Sequence, residues 1–228
     1  EGVRASEELV KSPLEVVGAL ASPQLAANPR GASLRTALAS RGTEITDVTD
    51  AEFESAAETE TPQGILVIAA TPKRSLDTFA AADPLRMLVL DAVQDPGNVG
   101  TLIRTAAGLG ATASVALPGT VDLWNAKVVR SAMGAHFLHS AFHCTWDELR
   151  LFLHETRIPL WGADVDGVPI GRSGAPRRLA LAVGNEGAGL SAHVRGACAQ
   201  FVSLPLDAGV ESLNVAVAAG ILLYELRA

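Results

Sequence analysis

Several short aliphatic runs, among them Gly64-Ile-Leu-Val-Ile-Ala-Ala70, Met87-Leu-Val-Leu-Asp91 and Leu179-Ala-Leu-Ala-Val183, punctuate the chain, and segments with helical apolar spacing lie between them. A continuous aliphatic run of this length reads as a strand covered on both faces. Strands that alternate with helices predict a mainly parallel sheet with helices on each side. Ahead of residue 71 the pattern gives helices at 2–11, 31–40 and 51–57 and strands at 14–20, 44–48 and 64–70, a small α/β unit. Beyond residue 84 it gives strands at 86–93, 113–117, 135–142, 158–163, 179–183 and 201–204. Helices are expected at 98–109, 124–130, 146–154, near 191–196 and at 212–226. The proline-bounded, polar stretch between the two parts reads as a linker, so the expected organisation is 1–72, a linker at 73–84, and 85–228.

Composition narrows the class. With 48% hydrophobic residues in 228, the chain can bury a sizeable core and is not disordered. The longest apolar stretch, 213–226, is shorter than the ~20 residues of a bilayer span, so no membrane helix is expected. Neither is a signal peptide, since no basic start precedes an apolar stretch; Glu1 in place of Met is read as either a trimmed start or one whose beginning is not included. Cys144 and Cys198 match neither a metal spacing nor a disulfide framework and read as buried thiols of a reducing cytoplasm. The net charge of −7 argues against a surface coated in basic residues, and the acid is concentrated at the front: residues 1–82 carry 7 Lys and Arg against 12 Asp and Glu.

Three strand ends carry unusual loops, and open parallel sheets bind ligands at the carboxyl ends of their strands. The first is Asp95-Pro-Gly-Asn-Val-Gly-Thr-Leu-Ile-Arg104, in which Asn98 is suited to cap the following helix and Arg104 lies about one and a half turns in. A capped helix with a solvated arginine is the plain alternative. The second, Gly184-Asn-Glu-Gly-Ala-Gly-Leu190, lets backbone approach a ligand and sets Glu186 beside the glycines; a simple turn explains it equally well, and it is not a dinucleotide fingerprint. The third runs from Pro205 to Asn214. Ser212 reads as the cap of the last helix, and Asn214 is a polar amide on an otherwise apolar helix, pointing to a ligand or a buried hydrogen bond. That last helix is apolar nearly all round and asks for cover on several sides, from the core or a second subunit.

Together these loops, DPGNVGTLIRTAAGLGA at 95–111, GNEGAGLS at 184–191 and LPLDAGVESLNVAVAAGILLYE at 204–225, resemble the SpoU (TrmH) branch of the SPOUT RNA methyltransferases in order and spacing. The resemblance covers roughly 85–227. The front segment is more weakly similar to the L30e-like substrate-binding domain of the ribosomal-RNA members, whose start lies further upstream. The resemblance implies an α/β fold with a trefoil-knotted parallel sheet, a homodimer through the C-terminal knot region, and S-adenosylmethionine as cofactor. It implies a cofactor site at Gly184, Asn185, Gly187, Leu204, Leu206 and Leu213. It gives Arg104 the central catalytic place, with Asn98, Glu186, Ser212 and Asn214 in support.

A guanidinium scarcely deprotonates, so the expected role of Arg104 is to stay charged, fix a phosphate and stabilise the developing 2′-oxyanion. Further cations expected to meet RNA are Lys73, Arg74, Lys127, Arg130, Arg172, Arg177, Arg178 and Arg195. His136, His139 and His143, read as strand residues beside Cys144, are ordinary histidines in preference to metal ligands, and the chemistry requires no metal. The implied activity is methylation of a ribose 2′-hydroxyl in RNA, with large-subunit ribosomal RNA favoured, transfer RNA as the second substrate reading, and a non-catalytic RNA-binding protein as the alternative class.

Overall fold

The computed structural model describes residues 1–172, 174–207 and 209–227. The chain forms two compact units, Glu1–Lys73 and Arg74–Ala228.

The first unit contains α1 (Val3–Lys11), β1 (Val16–Ala21), α2 (Pro29–Ser40), β2 (Ile45–Asp47), α3 (Asp50–Ala56) and β3 (Ile65–Ala69). Asn28 caps α2 and Pro29 opens it, while Thr49 and Glu52 form a reciprocal capping box on α3. The sheet order is β2-β1-β3, with β2 parallel and β3 antiparallel to β1. Ile65 and Val67 point into a core shared with Val3, Leu34 and Leu38. The expectation of a strand covered on both faces fails for β3. It is an edge strand, and Ile68, on the face away from this core, is exposed.

The second unit begins inside the expected linker. Leu76 and Phe79, on a short 3-10 helix at Leu76–Phe79, are buried in its core, where Phe79 stacks on Phe142 at 6.0 Å. Its strands are β4 (Leu85–Asp91), β5 (Ala113–Ala116), β6 (Ala141–His143), β7 (Leu160–Pro169), β8 (Arg178–Gly184) and β9 (Gln200–Ser203). They are all parallel, in the order β6-β5-β4-β8-β7-β9. Its helices are α4 (Pro96–Gly108), α5 (Ala126–Ser131), α6 (Trp146–Thr156), α7 (Ala192–Ala197) and α8 (Val215–Glu225).

The two-residue period of the strands sorts the core into two layers. Leu88, Leu90, Leu179, Leu181 and Val183 meet α4, α5 and α8, whereas Met87, Val89, Ala180 and Ala182 meet α6 and α7. Every residue of β4 is buried. Arg86 is among them, and its guanidinium donates to the carbonyls of Leu226, Leu85 and Arg177, anchoring the end of α8. Contact between α4 and α5 depends on Gly100, where a Cβ would lie 2.4 Å from Ser131 Cβ and 2.6 Å from the Val128 carbonyl.

The strand expected at 135–142 is corrected. A 3-10 helix at Ala135–Phe137 precedes the three-residue β6, because Gly134 takes a positive φ of 87° and turns the chain. The three histidines are thereby sent to different places. His136 is buried edge-on to Trp124, His139 Nε2 lies 2.9 Å from Ser114 Oγ, and His143 Nε2 accepts the Leu123 N–H at 3.2 Å. Among the described residues no three His, Cys, Asp or Glu form a group able to hold a metal ion, and no helix is long and apolar enough to cross a membrane. Cys144 and Cys198 are half-buried and not fully enclosed; burial pushes their thiols up to about 12 and about 11.

Helix α8 is covered on one side only within the chain. Ala216, Ala219, Leu222 and Leu223 are buried, while Val217, Ile221 and Tyr224 are each roughly half exposed.

Candidate cofactor pocket and active site

The order of the sheet places the loops after β4 and β8 side by side, since β4 pairs with β5 on one flank and β8 on the other. Such a reversal of strand order opens a crevice at the carboxyl edge. Asn185 stitches the two loops together. Its Nδ2 donates to the Ala92 carbonyl at 3.0 Å, and its Oδ1 accepts the N–H groups of Gly187 and Ala188 at 3.0 and 2.9 Å. Ala92 needs the support, for its φ of 56° is uncommon in a residue with a Cβ. Gly184 is required by closeness: a Cβ there would lie 2.2 Å from the carbonyl carbon of Gly189.

The helix caps differ from expectation. Asp95, not Asn98, caps α4, accepting the Asn98 N–H at 2.7 Å, because Pro96 takes the first helical position. Asn214, not Ser212, caps α8, its Oδ1 accepting the N–H groups of Ala216 and Val217 at 2.9 and 3.4 Å. Released from capping, Asn98 bridges. Its Nδ2 donates to Glu186 Oε1 at 3.0 Å, and its Oδ1 accepts from Asn214 Nδ2 at 2.9 Å. Glu186 also accepts the N–H groups of Gln94 and Asp95 at 3.4 and 3.3 Å.

The polarity of this chain is fixed at both ends. A carboxylate only accepts, and backbone N–H groups only donate, so each amide has one allowed orientation. Burial works to raise the pKa of Glu186, but the hydrogen bonds from Asn98, Asp95 and Gln94 outweigh it and hold the carboxyl below its ordinary range.

Beside this chain lies a cavity of about 670 Å³, lined by all six residues expected to bind a cofactor, Gly184, Asn185, Gly187, Leu204, Leu206 and Leu213. Glu186, Ser212 and Asn214 line it too. The lining also includes Asp164 from β7 and Ser203 from β9, which no sequence motif marked, Ala218 of the third motif, and Arg195, expected instead at an RNA surface. A second, shallower hollow of about 650 Å³ lies between α4 and α8, lined by Gly97, Asn98, Thr101, Thr105, Val217 and Ile221 among others. Asn214 lines both.

Arg104 follows Ile103 on α4. It is exposed, borders neither cavity, and has no hydrogen bond or ion pair among the described residues. Of the other expected RNA cations, Arg177 pairs with Asp83 at 3.1 Å, Arg178 donates to the carbonyls of Ala80 and Thr156, and Arg195 pairs with Asp164. Lys127 and Arg130 lie on α5, Lys73 and Arg74 at the junction of the units, and the Arg172 side chain falls outside the described residues.

Residues 86–224 match the model of the SpoU rRNA Methylase family. The 23S rRNA (guanosine(2553)-2′-O)-methyltransferase RlmP of Bacillus subtilis is 41% identical over 182 residues, 77% of this chain and 69% of that protein. The mitochondrial rRNA methyltransferase 3A of Danio rerio is 32% identical over 217 residues, 73% of this chain and half of that protein. Among solved structures, the SpoU methyltransferase AviRb of Streptomyces viridochromogenes in complex with AdoMet matches with a TM-score of 0.90 at 28% identity, covering 99% of this chain and 87% of that one. An AdoMet-bound rRNA methyltransferase of Sinorhizobium meliloti shares the fold at a TM-score of 0.87 and 23% identity, covering 100% of this chain and 85% of that one. With more than half of its length matched by the family model, its second and third loops lining one pocket and its first tied to both through Asn98, the chain belongs to the SpoU rRNA methylase family.

Proposed function

We propose that this protein methylates a ribose 2′-hydroxyl of large-subunit ribosomal RNA, with S-adenosylmethionine as methyl donor. The observation that carries this reading is the Glu186–Asn98–Asn214 chain set against a cavity walled by Leu204, Leu206, Leu213 and the glycine loop. The cavity fits the cofactor: leucines offer flat apolar walls for an adenine, and Gly184, Gly187 and Gly189 bring backbone groups to its edge. When bound, S-adenosylmethionine supplies an electrophilic methyl group on a sulfonium cation.

The residues of the chain do the rest. Ser212 and Asn214 line the pocket next to the outer hollow, where a ribose would approach. Glu186, held ionised, locks Asn98 and through it Asn214, so the amides are oriented before substrate arrives, which is the condition under which polar groups aid a transition state. Because charge disappears as the methyl moves from a cation to an incipient alkoxide, the leucine walls favour reaction by excluding water. Arg104 stays charged, grips the phosphate beside the target ribose with its planar fork and stabilises the developing oxyanion.

The finer assignments belong to the same reading. The first unit is an L30e-like substrate-binding domain, the C-terminal loops form the trefoil knot, and the protein works in the cytoplasm as a homodimer. The dimer would cover Val217, Ile221 and Tyr224, the side of α8 that the chain leaves open. Ile221→Glu should then halve the mass measured by light scattering; an unchanged mass would remove this face from the interface.

The decisive experiment is transfer of labelled methyl from S-adenosylmethionine into bacterial RNA, fractionated into large-subunit, small-subunit and transfer RNA, with Arg104→Ala alongside. Label in large-subunit RNA that disappears in the variant is expected. Label confined to transfer RNA would replace the substrate, and absence of both label and cofactor binding would sink the enzymatic reading.

A further inference from the structure

The wall of the cofactor cavity formed by β7 and α7 carries a charge pair that no motif led to. Asp164 accepts a hydrogen bond from Arg195 and another from the Asp166 N–H at 3.1 Å. The Asp164 side chain is 12% exposed and that of Arg195 49%, and the guanidinium carbon lies 5.0 Å from the centre of the Phe201 ring. The Arg195 guanidinium spends one N–H on Asp164 and makes no other hydrogen bond among the described residues, so most of its fork is unused. Burial acts to raise the pKa of Asp164, but the Asp166 N–H and Arg195 overcome it and keep the carboxyl ionised.

The other charged groups of the cavity behave differently. Glu186 is committed to Asn98 and two backbone N–H groups, and Glu211 is exposed without a hydrogen bond among the described residues. Arg195 is therefore the sole cation on the described lining, and Asp164–Arg195 is where the cavity presents both signs side by side. A bare guanidinium in the wall would repel a sulfonium, and Asp164 cancels that repulsion locally. A neutral adenosine gains nothing from an ion pair. A zwitterionic α-amino acid does, because each of its charged groups finds a counter-charge and a directed hydrogen bond.

Resting on the reading of the cavity as the S-adenosylmethionine pocket, we propose that the Asp164–Arg195 pair is the subsite for the amino-acid end of the cofactor. Arg195 takes the α-carboxylate on its unused N–H groups, and Asp164 takes the α-ammonium. The Phe201 ring supports the guanidinium so that it stays at the wall when the ligand arrives.

The test is a ligand truncation with the full chain. Calorimetry compares S-adenosylhomocysteine with 5′-methylthioadenosine, which keeps the adenosine and the thioether and lacks the amino-acid group. The wild type should prefer S-adenosylhomocysteine by about tenfold or more, the scale of one or two charge-assisted hydrogen bonds. Arg195→Gln and Asp164→Asn should each shrink that preference to within about threefold while leaving the affinity for 5′-methylthioadenosine unchanged, and Arg195→Lys, which keeps the charge but loses the planar fork, should retain only part of it. An unaltered preference in the variants, or an equal loss of both ligands, overturns the assignment while the pocket reading stands. Failure of the wild type to bind either ligand overturns both.

Discussion

The two hollows that meet at Asn214 are built on opposite plans. On the pocket side Glu186, Asn185 and Asn214 each have named partners, Glu186 and Asn214 through the Asn98 bridge, and the charged Asp164 is paired with Arg195. On the α4–α8 side the surface is open, with Val217 and Ile221 uncovered and Arg104 bare a few residues away. One side is organised within a single chain, and the other has the chemistry of a surface that is completed by something else. Under the proposed function the first binds the small cofactor, and the second receives RNA and a second subunit.

The widest separation between the two sides is expected from Arg104. Arg104→Ala should lower methyl transfer by about a thousandfold or more, the range of a lost oxyanion-stabilising group, with S-adenosylmethionine affinity within about twofold of wild type. Arg104→Lys retains charge and loses the planar fork, so it should still fall by about a hundredfold. Near-normal activity of the lysine variant would refute the geometric role, and a parallel loss of cofactor affinity would refute the division itself.

The amide chain gives the next effect in size. Asn98→Asp places a carboxylate against Glu186 and removes the donor between them, which should cost about a hundredfold in kcat. Glu186→Gln keeps an oxygen that still accepts from Asn98, and a loss nearer tenfold is expected. If both substitutions act on KM alone, the chain serves binding and does not orient groups for reaction.

What the sequence made legible follows from how local each signal is. The aliphatic runs of β4 and β8 name both the strands and, by their two-residue period, the layers they face. The three loops are contiguous motifs; the second and third line the pocket, while the first lines the α4–α8 hollow and joins them through Asn98. Where neighbours compete for one role, the reading slipped by a few positions. Asp95 outbids Asn98 for the cap because Pro96 sets the first turn, and Asn214 rather than Ser212 meets the first N–H groups of α8. Asp164 goes unmarked and Arg195 reads as an RNA cation, since the two come together only when β7, α7 and β9 pack, 31 positions apart in the chain. The segment 135–142 misled because a single glycine at positive φ turns an apparently strand-like run into a 3-10 turn.

That same turn carries the smallest of the expected effects, and it lies on the α4 side, against which Ala135–Phe137 packs. His136 is 2% exposed, neither ring nitrogen has a hydrogen-bond partner among the described residues, and burial, with His139 nearby, pushes its pKa down to about 4. The native state therefore holds it neutral, while the unfolded chain takes a proton at the ordinary value near 6.5. Above that value both states are neutral and the protein has its full stability; as pH falls from about 6.5 toward 4 the unfolded state gains the proton first and stability is lost. For this one group the loss between pH 7.5 and pH 5 is about 2 kcal/mol. Urea unfolding followed by tryptophan fluorescence at the two pH values should show His136→Leu losing about that much less than the wild type. The variant should also be about 1 kcal/mol more stable at pH 7.5, because an apolar side chain replaces a buried ring with unmet nitrogens. An identical pH dependence in the two proteins would mean that His136 finds a partner in solution, and the contrast between a satisfied pocket side and an unsatisfied outer side would then rest on Arg104 and the open face of α8 alone.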